Sequence, residues 1–301
     1  MSIALIAYEG AQMSAVLGLA DIVMMAGRDQ SKDAPHLTTQ IIHPARAMSE
    51  DQFDVVLFPP NLTGQRGADD STLHTWTQAQ HAAGAAIWSA CAGAFWLGHA
   101  GLLDGRPMTT HWALEEEFRV SFPNARLETD QLIVDDNDIV TAGGVMAWVD
   151  LGLHLLHRWM GPDVVSRTCR QMLIDPGARD QRSYRTFRPK LDHGDAAVRA
   201  TQMWMEAHVS DVLTVRALAN YANLTPRTFQ RRFAQATGLP PSDYVQALRI
   251  EKARGLLERT PSPVSQIAWA VGYQDVAAFT RAFKAVCGTT AGAYRKRFSV
   301  L

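Results

Sequence analysis

Two sets of side chains in this 301-residue chain have the types and spacing to do chemistry. The first surrounds Cys91. An apolar run of strand length, residues 85–90, leads straight into Cys91-Ala92-Gly93 and then into a helical segment. Small neighbours permit a sharp turn there. A helix beginning behind the cysteine presents backbone N–H groups whose partial positive charge lowers a thiol pKa. This is nucleophile-elbow logic with cysteine in place of serine. His111 follows twenty residues later, after Thr109-Thr110, and is expected to approach from the next strand. Three readings of Cys91 stand side by side: a ligand-pocket residue without turnover, a buried structural or redox-sensitive thiol, and a working nucleophile. Cys169 and Cys287 lie in helical apolar patterns and are expected in the core. Three cysteines make no disulfide framework, and no Cys/His spacing reads as a zinc site, so neither metal nor cofactor is expected.

The second set lies on a candidate helix at 226–236. Phe229 and Phe233 are four apart and should face a core, which leaves Arg227, Thr228, Gln230 and Arg231 on other faces. Arginine can pair bidentately with guanine and glutamine with adenine. Thr225 is a cap candidate and Pro226 suits the first helical position. A later helix, 276–286, repeats the plan. Asp275 is its cap candidate, Phe279 and Phe283 are its anchors, and Val276, Ala277, Thr280, Arg281 and Lys284 are exposed. Arg295, Lys296 and Arg297 suit phosphate or solvent better than base reading.

The elements that must position these groups differ between the two parts of the chain. Residues 1–160 alternate short apolar runs with helical stretches. Strands are expected near 3–8, 37–43, 55–59, 85–90, 126–128, 132–134 and 139–142, and helices near 13–26, 71–83, 92–100 and 146–160. That alternation predicts an α/β domain around a mostly parallel sheet. Residues 175–194 are poor in aliphatics and rich in charge, and read as a linker. From 195 onward all segments read as helices. The N-terminus MSIALIAYEG lacks a basic stretch before its apolar run, so it reads as a first strand and not as an export signal. No apolar run approaches the ~18 residues of a membrane span.

Charge divides along the same line. Residues 1–194 hold 15 Lys and Arg against 23 Asp and Glu, net −8, while 195–301 hold 14 against 7, net +7. The overall −1 is therefore a cancellation, and the basic third is the part suited to a polyanion. That third also contains a repeat. Ala219 matches Ala268, and after a turn one residue longer Phe229, Phe233, Gly238 and Tyr244 match Phe279, Phe283, Gly288 and Tyr294. Each copy is short helix, tight turn, second helix, the spacing of a helix-turn-helix unit.

At this point residues 195–301 resemble the AraC family of transcription regulators. The likeness rests on the two unequal units, the connecting LRIEKARGLLERT, and the ending GYQDVAAFTRAFKAVCGTTAGAYRKRF. The resemblance implies that Arg227, Thr228, Gln230 and Arg231 sit on the first recognition helix. Val276, Ala277, Thr280, Arg281 and Lys284 sit on the second. Because the second set is poorer in polar readers, the first unit is expected to dominate base reading. The second is expected to supply phosphate and thymine-methyl contacts.

Residues 1–165 resemble the ThiJ/PfpI branch of the class I glutamine amidotransferase-like fold, in the version fused to AraC-type domains. The ACAGAF elbow, the AGLLDGRPMTTHW segment and the TAGG turn carry the match. It implies an α/β three-layer sandwich, flavodoxin-like and amidotransferase-like, followed by an all-α domain with two helix-turn-helix units. The implied boundaries are 1–174 for ligand sensing and dimerisation, 175–194 for the linker and 195–301 for DNA binding. Cys91 takes the nucleophile position and His111 that of the companion histidine.

Two departures bear on activity. Enzymatic members place a glutamate early in the first helix, where this chain has Met13, with Glu9 only at the strand end. They also carry Pro-Gly-Gly after the third strand, where this chain has Pro59-Pro60-Asn61 and so fewer N–H donors. The expectation is a cytoplasmic regulator and activator, not an enzyme. It would sense a small metabolite such as an amino acid or betaine-like compound through Cys91, Ala92, His111, Trp112, Glu9, Met13 and Asn61. Glu115, Glu116 and Glu117 are further polar candidates. Trp88, Trp96, Trp112 and Trp148 are expected mainly in the core, with one or two lining the pocket, where an aromatic wall can hold a cation. The expected partners are double-stranded promoter DNA, the effector, RNA polymerase and a second copy in a homodimer, with no membrane. A DNA-tethered cysteine hydrolase or amidotransferase-like enzyme is the competing reading.

Overall fold

The computed structural model describes residues 1–28, 36–44, 48, 50–176 and 179–300. The chain forms two compact units, Met1–Gln181 and Arg182–Leu301. Counted over these units, the charge separation sharpens to −11 and +10.

The first unit is built on a six-stranded sheet. Its strands are β1 (Ser2–Ile6), β2 (Thr38–Ile42), β3 (Val55–Phe58), β4 (Ala86–Ala90), β7 (Ile133–Asp136) and β8 (Ile139–Ala142). They are ordered β2-β1-β3-β4-β8-β7, all parallel except β7. Side chains alternate between two cores, as the two-residue strand period requires. Ala4, Ile6, Val56, Phe58 and Ile87 face one layer, while Ile3, Leu5, Val55, Leu57 and Trp88 face the other. Helices α2 (Ser71–Ala82), α3 (Ala94–His99) and α4 (Glu115–Ser121) close the first core through Leu73, Phe95 and Phe118. Helices α1 (Met13–Gly27) and α5 (Trp148–Met160) close the second through Val16, Leu19, Leu151 and Leu155. The expected three-layer α/β sandwich is present. Two short strands, β5 (Pro107–Met108) and β6 (Arg126–Leu127), pair apart from the main sheet.

Helix α6 (Pro162–Met172) agrees with the helical pattern around Cys169. Its proline sits in the first turn, and its polar composition gives only a narrow apolar face, Val164, Val165 and Met172, against the α1/α5 layer.

The second unit is all helical: α7 (Ala196–Ala207), α8 (Val215–Tyr221), α9 (Pro226–Thr237), α10 (Pro241–Arg259), α11 (Val264–Ala270), α12 (Val276–Cys287) and α13 (Ala291–Phe298). Side-chain caps hold most helix starts. Asp195 accepts from Val198 N, Thr214 from Ala217 N, Thr225 from Thr228 N, and Thr290 from Ala293 N. There are two cores. Phe229, Phe233, Tyr244 and Leu248 form one, and Ile250, Leu257, Phe279, Phe283 and Tyr294 the other. Helix α10 contributes to both, its first half to one and its second half to the other.

The sequence repeat is also a repeat of geometry. Phe229 and Phe233 meet at 5.3 Å and 49°, Phe279 and Phe283 at 5.6 Å and 48°. Phe233 meets Tyr244 edge-on at 5.1 Å and Phe283 meets Tyr294 edge-on at 5.5 Å. Gly238 and Gly288 end α9 and α12 at φ 78° and 71°, the left-handed conformation that favours glycine.

The stretch 175–194, expected as a linker, is anchored on both sides, though 177 and 178 fall outside the described residues. Asp180 bridges to Gln131 within the first unit. Arg182 O and Arg185 O accept from Arg254, Phe187 N donates to Glu251, and Lys190 O accepts from Gln202, all within the second.

Candidate functional site

At the end of β4 the backbone turns sharply at Cys91, whose φ is 53°, a strained value for a residue with a side chain. A 3-10 turn over Cys91–Gly93 then feeds α3. Gly93 has no room for a Cβ, which would fall 2.5 Å from Phe58 O and 2.7 Å from Pro59 O. The carbonyl of Cys91 accepts from Thr110 Oγ1 at 2.8 Å. The elbow expected from the small-residue sequence is therefore present and packed from two sides.

Its chemistry departs from expectation. The Cys91 thiol is pushed up to about 11, because burial outweighs the lowering by the backbone N–H of Ala92, by Arg66 and by the N–H of Gly144. Cys91 is 4% exposed, and one helix start with two amide contacts cannot offset that loss of solvation. The first turn of α1 holds no acidic side chain, and Met13 stands at its start, 42% exposed. The two residues of the Pro59-Pro60 loop lack N–H donors, and their carbonyls are taken up locally: Pro59 O accepts from the Tyr8 hydroxyl and Pro60 O from Gln12 N.

His111 does not approach from a neighbouring strand of the main sheet, because β5 ends at Met108 and pairs only with β6. It caps a 3-10 turn over Trp112–Leu114, its Nδ1 accepting from Ala113 N at 3.0 Å. Burial lowers its pKa, which favours the neutral ring. Trp112 lies beside it, ring centroids 5.3 Å apart.

A cavity of about 540 Å³ opens next to the elbow, lined by Tyr8, Glu9, Arg66, Asp69 and Trp96 among others. It sits past the carboxyl ends of β1 and β3, where the order β2-β1-β3 reverses chain direction across the sheet. Such switch points are the usual ligand crevices of open α/β sheets. Tyr8 stacks on Trp96 at 4.0 Å. Arg66 lies 5.0 Å over Phe95 and is held bidentately by Glu117 at 2.8 and 3.1 Å. The Nε1 of Trp96 is buried without a partner.

Of the expected pocket residues, Glu9 lines this cavity. Asn61 spends its side-chain oxygen on Thr63 N and Gly64 N and its amide on Glu9 O, so it shapes the turn. In the glutamate run, Glu117 reaches Arg66 and Glu115 binds Arg119 and Thr129. Trp96 is the tryptophan at the cavity. Trp88 belongs to the opposite core, and Trp148 packs over Gly18 of α1. Tyr8, Arg66 and Asp69 were not singled out from sequence. Arg66 sits in a glycine-bearing loop with no periodic signal, and Tyr8 reads only as the end of a strand.

In the second unit, Arg227, Gln230 and Arg231 are exposed along α9 and free of partners among the described residues. Thr228 is half-buried, its hydroxyl 2.9 Å from that of the capping Thr225. The fourth long side chain, Arg232, is taken up by Asp195 through two hydrogen bonds of 2.9 and 2.7 Å. On α12, Asp275 caps Ala277 N and Ala278 N and lies 3.9 Å from Arg281. Thr280 bonds back to Val276 O, Val276 is half-buried, and Ala277, Arg281 and Lys284 are exposed. Cys169 and Cys287 are buried and form no disulfide, as expected, and the Cys287 sulfur accepts from Arg254. No helix among the described residues is long and apolar enough to cross a membrane.

Comparison with known proteins matches both halves. Residues 19–158 match the DJ-1/PfpI family and residues 218–297 a helix-turn-helix domain family. The HTH-type transcriptional regulator GlxA of Rhizobium meliloti is 30% identical over 76% of this chain and 71% of its own length. The HTH-type transcriptional regulator ArgR of Pseudomonas aeruginosa is 31% identical over 69% of this chain and 63% of its own. A crystal structure of a putative transcriptional regulator protein from Vibrio parahaemolyticus, at 18% identity and TM-score 0.50, covers 57% of this chain and 98% of that one, a likeness of fold.

Proposed function

Since this chain belongs to the HTH-type transcriptional regulators that join a DJ-1/PfpI-like domain to AraC-type helix-turn-helix units, we propose that it binds a small zwitterionic nitrogen compound beside Cys91 without turnover. Binding would set how the helical unit occupies promoter DNA. The observation that carries this is the pairing of a built cavity with a disarmed elbow. The thiol is buried and held protonated, and the two prolines of the neighbouring loop lack N–H donors.

The cavity suits a ligand with both charges. Arg66 can exchange Glu117 for a ligand carboxylate. Glu9 and Asp69 supply negative charge for an ammonium group. In the helical unit, α9 and α12 would enter successive major grooves. The basic charge on that unit and the free Arg227, Gln230 and Arg231 support this. Met13, Leu17 and Met24 form an exposed apolar face on α1, with Val145 and Met146 also exposed, which supports a homodimer through the first unit. The reading extends to a cytoplasmic activator that contacts RNA polymerase, on family resemblance.

The test is a thermal-shift screen of the full chain with amino acids, betaine-like compounds, sugars and simple anions. Zwitterions should raise the Tm of the first unit and lose that effect in Arg66→Ala. A response to sugars or anions alone contradicts the ligand class. Iodoacetamide labelling of Cys91, followed by peptide mass, should keep accelerating with pH and level off only near about 11. A labelling midpoint near neutrality, together with turnover abolished by Cys91→Ala, would establish the tethered-enzyme reading instead.

A further inference from the structure

The side-chain anchors of the connecting segment change sides between two adjacent residues. Gln181 is 3% exposed and bound wholly within the first unit. Its Nε2 lies 2.8 Å from Thr110 O, 3.0 Å from Gln131 O and 3.1 Å from Thr109 Oγ1, and its Oε1 accepts from Trp112 N at 2.9 Å. Its backbone N donates to Asp130 O at 3.0 Å. The next residue, Arg182, has its carbonyl held within the second unit by Arg254, a guanidinium only 3% exposed that also binds Arg185 O.

Gln181 also touches the elbow by two routes. Thr110, whose carbonyl it binds, donates its hydroxyl to Cys91 O. Gly143 packs so closely on the Gln181 amide that a Cβ there would fall 1.9 Å from Nε2, and its neighbour Gly144 turns its N–H toward the Cys91 sulfur. A ligand that shifts either the Thr109-Thr110 segment or the Gly143-Gly144 turn must move the acceptors of this amide. No slack follows it before the residues held by Arg254.

We propose that Gln181 is the positioning residue through which the state of the elbow reaches the DNA-binding unit, with the Gln181–Arg182 junction as the hinge. The proposal rests on the regulator reading above. Coupling between linked sites is reciprocal, so DNA bound to the second unit must alter the elbow. An effector is therefore not needed to see it.

The experiment is hydrogen exchange by mass spectrometry on the full chain. It is run with and without a duplex selected by the protein itself from random sequence. In the wild type, DNA should slow exchange of amides at 91–94, 109–112 and 143–144 by about fivefold, the low end of ordinary coupling between sites. Gln181→Met, which keeps length and removes the amide, should abolish this remote change while leaving duplex affinity within about threefold. Thr110→Val leaves Gln181 in place and cuts only the hydroxyl link to Cys91 O. It should weaken the change at 91–94, where the Gly143-Gly144 route remains, and keep it at 109–112 and 143–144. A wild type that binds DNA without any remote change overturns the coupling and leaves the DNA assignment standing. Failure to select any duplex overturns the regulator reading itself. A Gln181→Met chain that retains the full remote change, or that loses DNA binding while folded, shows Gln181 to be structural only. If Gln181→Met does not fold, the wild-type and Thr110→Val patterns decide the matter.

Discussion

The two helix-turn-helix units share a skeleton and differ in what they show to solvent. Their aromatic triads superpose in spacing and angle, Phe229-Phe233-Tyr244 on Phe279-Phe283-Tyr294. Both recognition helices end on a left-handed glycine. On the exposed faces the likeness stops. Helix α9 offers two free arginines and a glutamine, whereas α12 offers small residues, a lysine and one arginine near its own capping Asp275. Packing constrains the inner face of a duplicated unit, and the outer face is left to diverge. We propose that the two units are unequal partners in base reading.

Three perturbations test that contrast, the first two on the shared skeleton and the third on the divergent face. Phe233→Ala and Phe283→Ala remove fully buried rings and should each cost about 3–5 kcal/mol in urea unfolding of the second unit. Equal losses support one skeleton used twice. A loss confined to one copy breaks the comparison. Gly238→Ala and Gly288→Ala place a Cβ at positive φ and should each cost roughly 1 kcal/mol, again equally. Lys284→Ala should have the smallest effect: a modest loss of affinity, uniform across DNA sequences, with the slope of log K against log salt reduced by about 1. A sequence-dependent loss would make Lys284 a base reader.

How much of this was legible beforehand follows from where the signal lies. Helices α9 and α12 declare themselves through a cap, four-residue aromatic spacing and a terminal glycine, all local features. The strand alternation likewise exposed an α/β domain around a mostly parallel sheet. The raised pKa of the Cys91 thiol was not legible, because it depends on how completely the core that also holds Tyr8 and Trp96 buries the group. Spacing carries no measure of burial. Asn61 looked like a ligand contact and is spent on its own turn. Gln181 lay in a stretch with no apolar pattern, and its anchoring comes from partners about 50 and 70 residues away in sequence. Arg232 could not be told from Arg231 by type; only the position of Asp195 separates a bound guanidinium from a free one.

The most direct test of the account measures sequence discrimination. Affinities of Arg231→Ala and Arg281→Ala are compared on a selected duplex and on single-base variants of it, at two salt concentrations. Loss of a bidentate base contact is worth about 1–3 kcal/mol of discrimination. Arg231→Ala should therefore lose most of its preference at one or two base pairs. Arg281→Ala should keep the wild-type preference and weaken on all sequences alike. Equal loss of discrimination in the two variants would contradict the account.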